Sequence, residues 1–168
     1  MNKNISNFII LLSLFFILNI VTHSNAEDLG TLRRGVSGDP LTLDPHKILT
    51  AFESTIMTDL YVALATTAAD DKIIPGSAES WTISDNGLEY VFKMRKNLKW
   101  SDGTPLTSYD FLYSLRRQVD PKTASRTVEY FRPIINANEI YKGIKPVEKL
   151  GVYAPDSETL IIKLSYPA

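Results

Sequence analysis

Residues 88–95 alternate without a break. Leu88, Tyr90, Phe92 and Met94 fall on one side, and Glu89, Val91, Lys93 and Arg95 on the other. This period of two marks an extended strand with one apolar face. Before it stands Ser84-Asp85-Asn86-Gly87, whose Asn-Gly pair readily takes positive φ and reads as a tight turn. Before the turn, residues 78–83 carry Trp81. The whole predicts a β-hairpin with one wet face, which commits the chain to a sheet. Residues 150–154 and 160–164 predict a second hairpin around Pro155-Asp156-Ser157, with Leu160, Ile162 and Leu164 facing one way.

Helical signals lie between and before these strands. Thr50 followed by Glu53 is a capping box, in which each side chain satisfies a free amide of the first turn. Phe52, Ile56, Leu60 and Leu64 follow at a spacing of four, predicting a helix over 51–61 with one apolar stripe. A brief strand is expected over 64–67, then turns at 69–72 and at Pro75-Gly76. Shorter helical pieces are expected over 127–131 and 134–141. Residues 31–36 form a short candidate strand. Residues 37–46 are a loop, because Gly38, Asp39-Pro40 and Asp44-Pro45 interrupt the backbone repeatedly. The elements define a mixed α+β chain.

The N-terminus carries an export signal. Lys3 precedes an apolar run of 14 residues, Phe8 to Val21, and small residues follow at Ser24 and Ala26. A spanning helix needs about 20 apolar residues, so the run predicts a secretory signal peptide over 1–26, cleaved after Ala26. Loss of Lys3 leaves 17 basic and 19 acidic residues. That balance gives no basic footprint for nucleic acid. The chain has no cysteine, which excludes disulfides and thiolate metal sites.

The stretch Lys99-Trp100-Ser101-Asp102-Gly103-Thr104-Pro105 concentrates hydroxyls and an acid, but its composition is that of a turn. Thr107 then caps a helix with Asp110 at the third position, an aspartate form of the capping box. Phe111, Leu112, Leu115 and Val119 share one helical face. Arg116 and Arg117 sit near the C-terminus, where the macrodipole favours positive charge. Asp120-Pro121 ends the helix. Every polar group has a local structural task.

No catalytic pattern emerges elsewhere. His46, the one histidine after the signal segment, sits between loop residues with no second histidine to complete a metal site; it reads as a loop residue bonded locally. Gly-x-Ser-x-Gly and phosphate-loop motifs are absent. Asp70-Asp71 and the Glu79/Asp85 pair read as turn acids, against the alternative of paired glycosidase carboxylates. Trp81, Tyr90, Phe92 and Trp100 read as core aromatics at strand spacing, against the alternative of a stacking surface.

Four ordered blocks carry a resemblance. They are Thr42-Leu43-Asp44-Pro45-His46; Pro75-Gly76-Ser77-Ala78-Glu79-Ser80-Trp81; Lys99 to Thr107 followed by Asp110-Phe111; and Val119-Asp120-Pro121-Lys122-Thr123-Ala124-Ser125. From about Leu32 onward the chain resembles the family 5 extracellular solute-binding proteins of ABC importers, and among them the oligopeptide binders. The resemblance implies a periplasmic-binding-protein type II-like fold: two lobes around a cleft, with an extra domain inserted in the first. Residues 27–61 would begin lobe one, and residues 62–168 would be most of the inserted α+β domain, incomplete. Family members are much longer, so the chain is expected to be an N-terminal fragment without the second lobe.

The resemblance further implies a periplasmic, monomeric binding protein and no enzyme. It would need no cofactor or metal, hold an oligopeptide and deliver it to an ABC permease in the inner membrane. Peptide-binding positions carried over are Leu49, Thr50 and Ala51, which follow the Asp-Pro-His motif, and Thr127. The family pattern places a glutamate where this chain has Leu49 and a tyrosine where it has Thr127. The acidic group that clamps the peptide's amino terminus belongs to the second lobe, so weak or no peptide binding is expected of these residues alone. Nickel, haem or a cell-wall peptide are alternative solutes.

Overall fold

A computed structural model describes residues 34–168. Every element below lies within the compact unit Val36–Ala168. The signal segment and residues 31–33 of the candidate first strand lie outside the described residues; residues 34–36 form no strand.

Helix α1 spans Ala51–Leu60, as the capping box predicts. Its packing differs from the expected stripe. Glu53 and Met57 are the buried residues, Phe52 and Ile56 are half-buried, and Leu60 is exposed. The helix is fastened by polar groups at its start, which turns the buried face one position from the apolar series.

Strands β1 (Ala65–Thr67) and β2 (Ile73–Pro75) form a small antiparallel pair. Gly76 then brings the chain against the segment before β1, and a Cβ there would lie 2.3 Å from the Ala63 carbonyl oxygen. Only glycine fits such a backbone approach.

The main sheet has four antiparallel strands in the order β3-β4-β6-β5: β3 Ala78–Ile83, β4 Glu89–Met94, β5 Val152–Asp156 and β6 Thr159–Lys163. Both expected hairpins are present, and β6 pairs with β4 to join them. Phe92 stands opposite Trp81 on one side and Leu160 on the other. In the first turn, positive φ falls on Gly87 alone of the Asn-Gly pair. Asn86 instead uses its side chain, accepting from the Ser84 hydroxyl at 2.7 Å and the Leu88 N–H at 3.1 Å. In the second hairpin, Pro155 and Asp156 remain in β5 and a register shift before Asp156 absorbs the irregularity.

Helix α2, Ser108–Val119, covers the sheet through β5 and β6. The Asp110 carboxylate accepts from the Thr107 N–H at 2.7 Å and from its hydroxyl at 2.9 Å. Ser108 is wholly buried, donating its N–H to the Ser157 carbonyl at 3.0 Å and its hydroxyl to the Asp156 carbonyl. A short helix α3, Ala137–Tyr141, and single 3-10 turns at Pro121–Thr123, Val128–Phe131 and Val147–Lys149 complete the cover.

The core lies between α2, α3 and the sheet. It contains Val119, Ile140, Leu150, Val152 and Leu160, with Phe111, Leu112, Leu115, Tyr90 and Phe92 packed against it. Trp81, Tyr90 and Phe92 form a contiguous aromatic group, with ring centroids 6.3 and 6.4 Å apart. Trp100 stands outside it, 40% exposed in its loop.

Candidate functional site

The candidate peptide-binding positions lie on two segments, and α2 anchors both. The first segment runs through the loop into α1. Its organiser is Glu53, whose carboxylate accepts three backbone N–H groups: Leu41 at 3.0 Å, Leu49 at 2.8 Å and Thr50 at 2.9 Å. Thr50 returns the contact by accepting the Glu53 N–H on its hydroxyl at 3.2 Å. The N–H groups of Leu49 and Thr50 hold the Glu53 carboxyl down at about 2, because each bond favours the ionised form. Leu49 and Ala51 remain exposed at the mouth of the helix, while Thr50 is half-buried.

Ahead of this segment stands a polar cluster. Arg117 of α2 reaches Asp44 with both terminal nitrogens, at 2.8 and 2.6 Å. Such a bidentate pair fixes direction as well as distance. The hydrogen bond from Arg117 keeps the Asp44 carboxyl well below the usual carboxylate range. The same guanidinium lies 2.8 Å from Nδ1 of His46. A guanidinium can only donate, so Nδ1 accepts, and the Nε2–H donates to the Ser114 hydroxyl at 3.2 Å. Burial, followed by the charge of Arg117, pushes the His46 imidazole below its ordinary value.

The second segment holds Thr127. Its hydroxyl accepts from Gln118 Nε2 at 2.9 Å, and the same amide donates to Ser125 at 2.6 Å. Gln118 and Ser125 are buried and Thr127 is half-buried. Consecutive residues of α2, Arg117 and Gln118, therefore hold the two candidate segments.

The Thr50–Glu53 pair is legible from local spacing, but its reach to Leu41 is not. Arg117, expected to serve the helix dipole, and His46, expected to bond locally, also meet each other across the chain. The His46 N–H does bond locally, to Asp44 at 3.1 Å, but the ring binds α2. Contacts across 73 and 71 positions leave no mark in local spacing.

The Trp100–Pro105 stretch is a closed turn. Trp100 and Thr104 share a backbone bond of 2.9 Å, and Asp102 accepts the Thr104 N–H at 2.9 Å and hydroxyl at 2.7 Å. Asp70 pairs with Lys72 at 2.5 Å as a turn acid. Among the described residues no group of three His, Asp or Glu side chains could hold a metal. No helix there is long and apolar enough to cross a membrane.

Residues 72–168 match the model of the bacterial extracellular solute-binding proteins, family 5 Middle. The chain is 45% identical over 139 residues to the periplasmic oligopeptide-binding protein OppA of Escherichia coli K12, covering 82% of this chain and 25% of that protein. It is 42% identical over 131 residues to the probable deoxycholate-binding periplasmic protein YgiS of the same organism, covering 77% and 24%. The structure of the Escherichia coli murein tripeptide binding protein MppA superposes with a TM-score of 0.76 at 38% identity, covering 79% of this chain and 26% of that one. The chain belongs to the family 5 extracellular solute-binding proteins, whose fold is the periplasmic-binding-protein type II. It spans about a quarter of the length of the curated relatives it matches.

Proposed function

We propose that this chain is part of the oligopeptide-binding component of an ABC importer. It works in the periplasm after cleavage behind Ala26, and its partner is the permease of the inner membrane. Residues 27–61 begin lobe one and residues 62–168 make up most of the inserted domain. Leu49, Thr50, Ala51 and Thr127 contribute to the peptide site, and the role is binding without catalysis. The observation that carries this reading is the 45% identity to an oligopeptide binder, spread over 82% of the chain. Peptides are held as an added strand, with main-chain bonds giving affinity and pockets giving choice. The exposed start of α1, fixed by Glu53, suits the rigid side of such a site.

The test is a chimera. Residues 36–168 replace the matching segment of the Escherichia coli oligopeptide binder, and tri- to pentapeptides are titrated calorimetrically. Micromolar binding is expected of the folded chimera and not of the 168-residue chain alone. A folded chimera without peptide affinity overturns the reading.

A second reading is a different solute in the same family. Leu49 presents an exposed apolar side chain at a candidate site position, and one relative is named for deoxycholate. Deoxycholate binding to the chimera that excludes peptide would favour it.

A further inference from the structure

We propose that His46, Asp44 and Arg117 form an acid-sensitive clasp that positions the start of α1 on α2 and loosens when His46 takes up a proton. The proposal deepens the reading above only in its consequence, because the segment it positions carries Leu49, Thr50 and Ala51. The clasp itself stands on geometry.

His46 is held from both ring nitrogens. Nδ1 accepts from Arg117 and Nε2–H donates to Ser114. This pattern requires the neutral imidazole. A proton on Nδ1 would meet the Arg117 N–H head on, donor against donor, and add a second positive charge 2.8 Å from the first. The groups facing the ring are Arg117 and Ser114 from α2 and Asp44 from the loop; Tyr113 acts on the guanidinium. Asp44 alone would welcome a protonated ring, but its two oxygens are already committed to Arg117. Burial and the Arg117 charge outweigh it, so the ring resists protonation.

A group whose folded-state value lies below its unfolded value resists taking up a proton in the fold. For histidine the neutral ring therefore supports the fold above the unfolded value of about 6.5, and this support is lost as pH falls. The Glu53 tether persists far lower, since its carboxyl stays ionised down to about 2. Protonation of His46 therefore removes the Nδ1 contact and sets a second positive charge against Arg117, while the Arg117–Asp44 pair and the α1 cap persist. The loop loses one of its holds on α2, and the start of α1 gains freedom relative to it.

The full chain lacks cysteine, so a pair of spin labels can be placed at Ala51→Cys and Tyr109→Cys, both exposed. Their distance distribution and the His46 ring resonance are followed from about pH 8 to about pH 4.5, a range that brackets the free imidazole, with His46→Gln as control. Glutamine can accept from Arg117 and donate to Ser114 but does not titrate. The ring midpoint is expected below about 6.5, and the label distance should broaden with that midpoint. In H46Q it should stay constant. A ring titrating at the free-imidazole value with an unchanged distance, or a broadening that persists in H46Q, overturns the clasp. No peptide enters these measurements, so failed peptide binding by the chimera leaves their outcome intact.

Discussion

Arg117 meets Asp44 across 73 positions of chain, guanidinium to carboxylate, at 2.8 and 2.6 Å. The pair ties the loop before α1 to the helix that covers the sheet. Both side chains are partly shielded, at 31% and 22% exposure, so the contact outranks a surface ion pair while still feeling solvent. Asp44→Ala should cost about 1–2 kcal/mol, the range of a charged hydrogen bond reduced by solvent screening. Urea midpoints for D44A, R117K and the double variant should show a positive coupling. Additive losses would reduce the pair to a surface contact.

Glu53 makes the fold acid-labile in a defined window. Its carboxyl moves from an ordinary 4.5 to about 2 on folding. A lowered folded-state value gives stability that is present above the ordinary value and lost as pH falls towards the folded one. Thermal midpoints of the wild type should drop through that window more steeply than those of Glu53→Gln, whose side chain has no proton to gain. Parallel curves would assign the acid sensitivity elsewhere.

Gly76 admits no side chain. A Cβ at this position would stand 2.3 Å from the Ala63 carbonyl oxygen, so Gly76→Ala must move backbone. The expected loss is about 1–3 kcal/mol, as for other overpacked sites. Chemical denaturation of G76A measures it; an unchanged midpoint would mean that β1 and β2 yield freely.

Leu160 is fully buried between the sheet and its helices. Leu160→Ala should cost about 2–5 kcal/mol through lost burial and a cavity. Tyr130→Ala, at a site 82% exposed, should stay within about 0.5 kcal/mol. Equal effects in the two variants would place the core elsewhere.

Gln118 supports Thr127 from within the fold. Gln118→Leu removes the donor shared by the Ser125 and Thr127 hydroxyls and should cost about 1–3 kcal/mol, the range for leaving buried polar groups unpaired. Amide exchange around residues 124–127 should accelerate more than exchange in β4. Uniform acceleration would deny Gln118 a local role.

Both hairpins, α1, α2 and the turn chemistry that separates them are legible in the order of residues. Periodicity, caps and Asp-Gly-Pro punctuation act within a few residues, and local spacing records them. The ordered tryptophan and turn blocks also placed the chain in its family. Folding in three dimensions was needed to show that β6 lies beside β4, that Glu53 and Met57 are the buried face of α1, and that Trp100 stays out of the aromatic group. The same packing brings His46 and Asp44 to Arg117, and Thr127 to Gln118. These contacts arise when α2 docks on the sheet and carries its polar edge to distant loops. No residue interval encodes that edge, because its partners are selected by which surfaces meet once the core has closed.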